Sequence, residues 1–255
     1  MLKIIPLPAF NDNYIWLLQR GAFTVAVDPG DANVVADYCH WQQLQLSAIL
    51  VTHCHHDHIG GVQELQQQFG CPVYAPAHPA LNMPIHALKN DDQLHLPQLE
   101  LSLKVLSLPG HTREHIGYYT PGMLLCGDTL FACGCGRIFD GTAQQLHHSL
   151  QKLATLPPDT RVYCSHEYTL SNQRFALTVD PDNQVLQLQN RRDQTLRDTQ
   201  HPTLPTTLAQ ELTCNPFLRC DNTAIRDAVQ RHCGKILTDS EQVFIELRRW
   251  KDEFR

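Results

Sequence analysis

The 255-residue chain has 10 cysteines but no C-x-x-C pair, only Cys133 and Cys135 with one residue between them. A zinc ribbon and a thioredoxin-like redox pair are thereby excluded, and most of these thiols are expected to be small buried hydrophobes in a reducing compartment. No apolar run approaches the length of a membrane span. The opening stretch, MLKIIPLPAF, lacks the apolar core and small-residue cleavage site of a secretory leader. The expectation is a cytoplasmic protein without membrane association. Positive charge is scarce as well: 20 Lys and Arg against 26 Asp and Glu leave a net charge of -6, which disfavours a nucleic-acid partner. Repeats and low-complexity tracts are absent, Gly (13) and Pro (16) are in ordinary supply, and 42% hydrophobic residues suffice for a core. Collagenous, coiled-coil and disordered classes fall away. What the chain has in excess is histidine, 15 in all.

Apolar periodicity and turn residues predict strands at 2–7, 14–19, 24–28 and 48–52, with helices at about 33–44 and 60–69 at βαβ spacing. Further strands are expected at 73–75, 100–108, 118–119, 123–126 and 161–164, and a helix at 144–153. Near residue 170 the texture changes. Beyond it there is almost no strand signal, and helices are expected at about 171–176, 182–198, 206–212, 223–231 and 240–250. The fold class read from this pattern is α/β, with a domain over 1–170 and a helical C-terminal domain over 171–255.

The densest chemical signal is THCHHDHIGG at 52–61, directly after the apolar run AILV. His53 and His55 are two apart, so in an extended segment their rings project to one side. Asp57 and His58 follow as the chain turns into a helix and can face a second point. Mixed imidazole and carboxylate donors at this spacing suit zinc, iron or manganese, and the set can serve two adjacent ions. A solvated surface loop is the competing reading, and it is the better one for a lone histidine. Cys54 and His56 occupy the intervening positions and are expected to point away.

H-x-H-x-D-H resembles the signature of the metallo-β-lactamase superfamily, which implies an αββα sandwich with a metal site at one edge. The resemblance extends to His111 in LPGHTREHIGY, as a ligand of the first ion, to Asp128 in LLCGDTLF, as the carboxylate bridging both ions, and to His166 in VYCSHEYTLSN, as the last ligand of the second ion. Taken singly, His111 is equally a turn residue, Asp128 an N-cap and His166 a strand-end histidine. Two bridged ions would hold a water and lower its pKa toward neutrality. The implied reaction class is hydrolysis, with Asp57 as the catalytic group that orients the hydroxide and takes up its proton.

A closer resemblance covers essentially the whole chain. NDNYIW at 11–16, CGCGRIFDGT at 133–142, SHEYTLSNQRFA at 165–176, NPFLR at 215–219 and ELRRWKDEF at 246–254 are similar to the hydroxyacylglutathione hydrolase family, the second glyoxalase enzymes. The resemblance implies metal-dependent hydrolysis of S-D-lactoylglutathione to glutathione and D-lactate, in methylglyoxal detoxification, by a metal-bridging hydroxide. It implies two divalent ions, zinc first with iron or manganese as alternatives, a small-molecule glutathione thioester as partner, and a monomer. It also implies that Arg137, Tyr168, Arg248 and Lys251 bind substrate, the cations meeting its carboxylates. Arg249 is the rival to Arg248, since one residue of register separates them. Phe139, where relatives carry a tyrosine, is expected to pack only. The alternative within the same fold is a mono-iron glutathione persulfide dioxygenase.

Overall fold

A strand covered on both faces shows unbroken burial instead of alternation. β2 (Asn13–Arg20) is such a strand, buried without interruption over residues 13–18. A computed structural model describes residues 1–78 and 80–254, and the chain divides into two units interleaved in sequence. The first comprises residues 1–107, 114–120 and 124–127, and the second residues 108–113, 121–123 and 128–255.

In the first unit, β1 (Lys3–Ala9), β2 and β3 (Phe23–Val27) form an antiparallel meander. α1 (Ala32–Trp41) then carries the chain to β4 (Gln45–Leu50), which lies parallel to β3. α2 (His56–Ile59) and α3 (Val62–Phe69) lead to β5 (Val73–Pro76), and β6 (His86–Leu88) completes a sheet in the order β1-β2-β3-β4-β5-β6. α1 starts where the Asp31 carboxylate accepts from the Asn33 N–H at 2.9 Å, and α3 stops at Gly70 with φ of 63°. One face of the sheet packs Leu17, Ala26, Ile49 and Val73 against Val35 of α1 and Leu65 of α3. β7 (Gln93–Leu96), β8 (Leu101–Ser107), β9 (Ile116–Thr120) and β10 (Met123–Gly127) are successive neighbours in a second sheet. Asp28 follows β3, His53 and His55 follow β4, His111 follows β8 and Asp128 follows β10, so chemistry-bearing residues sit where strands end.

In the second unit, β11 (Leu130–Phe131) and β12 (Gly134–Cys135) make a small hairpin, and α4 (Ala143–Ala154) opens on a Thr142–Gln145 capping box. After β13 (Arg161–Cys164) come α5 (Thr169–Val179), α6 (Gln184–Asp198), β14 (Thr206–Thr207), α7 (Leu208–Cys214), α8 (Thr223–Cys233) and α9 (Ser240–Glu253). Phe175, Phe217 and Phe244 form the buried aromatic centre, with ring centroids 6.0 and 5.8 Å apart in sequence order.

The α/β class read from the sequence holds, with three local corrections. The helix expected at 60–69 is α3, starting at Val62, and a separate short helix, α2, precedes it inside the histidine loop. The segment 206–212 is shifted: Thr206 pairs with Val162 in a strand, and the Thr207 hydroxyl caps α7 by accepting from the Gln210 N–H. β6 and β7 were not expected, and β7 shows the alternating exposed–buried pattern of a half-covered strand. Among the described residues no helix is long and apolar enough to cross a membrane.

Candidate metal centre

The loop after β4 is set by buried side chains around it. Asp28, after β3 and at φ 53°, accepts from the Thr52 N–H and the Thr52 hydroxyl, both at 2.7 Å. Because that hydroxyl spends its proton on Asp28, it accepts at 3.0 Å from Nδ1–H of His53. The His53 tautomer is thereby fixed, and its Nε2 lone pair faces His55 Nδ1 at 3.1 Å. The His58 ring lies 4.1 Å from that of His53, with Nδ1 at 3.2 Å from Asp28 and Nε2 at 3.4 Å from Asp57. Asn13, at the start of β2, donates to Asp57 Oδ2 at 2.9 Å. Gly30 is required here: a Cβ on it would stand 1.9 Å from the Asp57 carbonyl oxygen.

A second set of donors forms within the second unit. The His111 Nδ1–H donates to the Arg137 carbonyl at 2.7 Å, which leaves Nε2 with its lone pair 3.5 Å from Asp128 Oδ2. His166 Nε2 lies 3.4 Å from the same carboxylate oxygen. All three side chains are buried. Gly136 packs so closely that a Cβ would meet the Asp128 carbonyl at 2.0 Å and His111 Nδ1 at 3.0 Å.

In each set one imidazole, His53 or His111, is oriented by a hydrogen bond at Nδ1 and lies among further imidazole and carboxylate donors. That donor chemistry fits divalent cations. Asp28, His53 and His58 place one ligand atom each within 4.8 Å of one another. Of the donors expected from the sequence, His53, His55, Asp57 and His58 lie near one another in the first unit, and His111, Asp128 and His166 in the second.

Several supporting residues carried no signal in the sequence. Asn13 and Asp28 are distant in sequence from the loop they hold. His115 is fully buried and stacks on His53 at 4.7 Å. The β11–β12 hairpin, which leads to the Arg137 carbonyl and Gly136, is gripped by the helices. Asn215 donates to the Phe131 and Gly134 carbonyls at 3.2 and 2.9 Å, and Asn172 donates to the Ala132 carbonyl at 3.1 Å. The Cys133 N–H donates at 2.7 Å to Glu211, whose carboxyl burial pushes up to about 7.

The expected substrate residues also fall in the second unit. Tyr168 stacks on His166 with centroids 4.7 Å apart and ring planes 4° from parallel. Arg248 is buried, donating to the Cys135 carbonyl at 3.0 Å and to Asp252 at 3.0 Å, which Arg137 also approaches at 3.5 Å. Lys251 lies over the Phe175 and Phe254 rings, and burial together with Arg248, Arg174 and Arg137 lowers its pKa to about 8. Arg249 points elsewhere and pairs with Glu246 at 2.8 Å. Phe139 meets the His111 ring edge-on at 5.1 Å.

A family model described as the metallo-beta-lactamase superfamily matches residues 10–166, and one described as the hydroxyacylglutathione hydrolase C-terminus matches 167–254. Among solved structures, the chain is similar to the B3 metallo-beta-lactamase BLEG-1, at 28% identity and a TM-score of 0.63 over 86% of this chain and 100% of that one. It is also similar to TTHA1623 in a di-iron-bound form, at 26% identity and a TM-score of 0.61 over 85% and 100%. Fold and donors together define a metallo-β-lactamase superfamily protein. The hydroxyacylglutathione hydrolase of Nitrosomonas eutropha is 50% identical over 100% of both chains, and that of Aeromonas hydrophila 48% identical over 100% of both. The chain belongs to the hydroxyacylglutathione hydrolase family.

Proposed function

We propose that the chain hydrolyses S-D-lactoylglutathione and related 2-hydroxyacyl glutathione thioesters, with His53, His55, Asp57, His58, His111, Asp128 and His166 as ligands of two divalent ions, zinc first among them. The observation that carries this reading is the clustering of imidazole and carboxylate donors, with the His53 and His111 rings each oriented through Nδ1, in a chain whose full length matches the family. Bound divalent ions supply a Lewis acid and bring a coordinated water's pKa toward neutrality. The residues do the rest. Asp57, steadied by the Asn13 amide, accepts the proton of the attacking water. Asp128 holds the charge balance between His111 and His166. The water oxygen bonds to the thioester carbonyl carbon, the C–S bond breaks, and the sulfur leaves as a thiolate whose conjugate acid has a pKa of about 8.5, so no strong general acid is required.

Residues 171–255 act in this reading as the substrate-binding domain. Lys251, Arg137 and Arg248 form a cationic group toward the glutathione carboxylates, and Tyr168, held flat against His166, offers its hydroxyl to the peptide. The setting proposed is the cytoplasm, and the working state a monomer. The test is release of thiol from S-D-lactoylglutathione by purified protein, with and without chelator, alongside metal analysis. Chelator-sensitive release with about two ions per chain is expected. Absence of release, or oxygen uptake with glutathione persulfide in its place, overturns the assignment.

A further inference from the structure

Beside the seven donors, a second kind of ligand cluster lies in the first unit. Cys54, His78 and Glu114 each offer one ligand atom, all within 4.8 Å of one another, and each is partly exposed. They come from three separate places: the segment after β4, the segment after β5, and the turn before β9. Most of the cysteines are buried, whereas Cys54 is reachable from solvent. The Lys and Arg ion pairs at Glu100, Asp91, Asp252, Glu167, Asp180 and Glu246 all go to carboxylates other than Glu114. A carboxylate, a thiol and an imidazole thus meet at this cluster.

We propose that Cys54, His78 and Glu114 form a separate site for a soft divalent cation of the zinc class, with the fourth position open to water. Tetrahedral zinc holds sulfur at about 2.3 Å and nitrogen or oxygen at about 2.0–2.2 Å, which sets neighbouring ligand atoms about 3.3–3.7 Å apart. The ligand atoms, all within 4.8 Å of one another, would close by about 1 Å to reach that spacing. Thiolate in the set selects against calcium and magnesium, which take oxygen. Binding releases the Cys54 thiol proton to solvent. The Ala80 N–H donates to His78 Nδ1 at 3.1 Å, which leaves Nε2 available to the ion. Because Cys54 lies between His53 and His55 in the chain, loading this site acts on the loop that carries them.

The seven-donor centre contains no sulfur, so the two sites are spectroscopically separable. Adding Co²⁺ to the metal-loaded protein is expected to produce a near-ultraviolet thiolate-to-cobalt charge-transfer band. Cys54→Ser abolishes it, and Glu114→Gln and His78→Ala each weaken the binding that produces it. No band, or one that persists in Cys54→Ser, overturns the site. A reading independent of any variant comes from alkylation of Cys54 by iodoacetamide in the wild-type chain, located by peptide mass, with the partly exposed Cys233 as internal reference. Zn²⁺ is expected to slow labelling at Cys54 and leave Cys233 unchanged. Equal rates at Cys54 with and without Zn²⁺ refute the proposal.

Discussion

Replacing Glu211 with glutamine tests how the helices hold the β11–β12 hairpin. The carboxylate is fully buried and accepts three hydrogen bonds, from the Cys133 N–H at 2.7 Å, the Thr206 hydroxyl at 2.8 Å and the Asn215 amide at 3.0 Å. Burial outweighs those bonds and raises its pKa from 4.5 to about 7, with the Asp193 charge adding to the effect. Between those two values the folded chain keeps the proton and the unfolded chain has lost it. Stability from this group is therefore complete below about pH 4.5 and declines as pH rises through about 7. At about 1.4 kcal/mol per pH unit the loss amounts to about 3 kcal/mol. Glu211→Gln resembles the protonated acid in shape and hydrogen-bonding pattern and does not titrate. Guanidinium unfolding of both proteins across about pH 4 to 8, with equal m-values, gives the comparison. The variant should match the wild type at the acid end and exceed it by about 3 kcal/mol at the alkaline end. Parallel stability curves would show that Glu211 does not carry the strained charge inferred for it.

Asp128→Ala is expected to lose metal and turnover together, read by metal analysis and thiol release; a variant that kept both would remove Asp128 from the ligand set. Asn13→Ala frees the Asp57 carboxylate to rotate and should lower metal affinity or activity by about 10–100-fold, measured by competition with a chromophoric chelator. Lys251, with its pKa lowered to about 8, is charged below that value and neutral above it. The KM for an anionic thioester should therefore rise as pH passes about 8, and Lys251→Arg, which stays charged, should flatten that rise.

How much of this was legible beforehand depended on whether a function was written in one stretch of chain. His53, His55, Asp57 and His58 are contiguous and follow an apolar strand, so residue spacing alone marked them. His111, Asp128 and His166 each stand alone in their own loops, where a single His or Asp has no local pattern, and resemblance supplied them. The grip on the hairpin was invisible for a further reason. Glu211, Asn215 and Asn172 are polar residues turned inward, and a polar residue on a helix reads as surface until its partners are known. Arg248 illustrates the same point, since nothing in its local sequence marked a side chain buried against Cys135. The short strands β6 and β7 were missed because three or four residues carry little periodic signal.

The interleaving of the two units limits how the gene can be cut. The first unit takes residues 114–120 and 124–127 from beyond its main span, and the second takes 108–113 and 121–123 from before its own. A truncated chain ending at residue 107 would omit β9 and β10, leaving the second sheet without its later strands. One beginning at residue 167, where the C-terminal family match starts, would lack the hairpin that Glu211 and Asn215 grip, and so would leave their buried polar groups without partners. On a ribosome the first unit cannot be complete until residue 127 has emerged, and by then the chain has already passed through two pieces of the second unit.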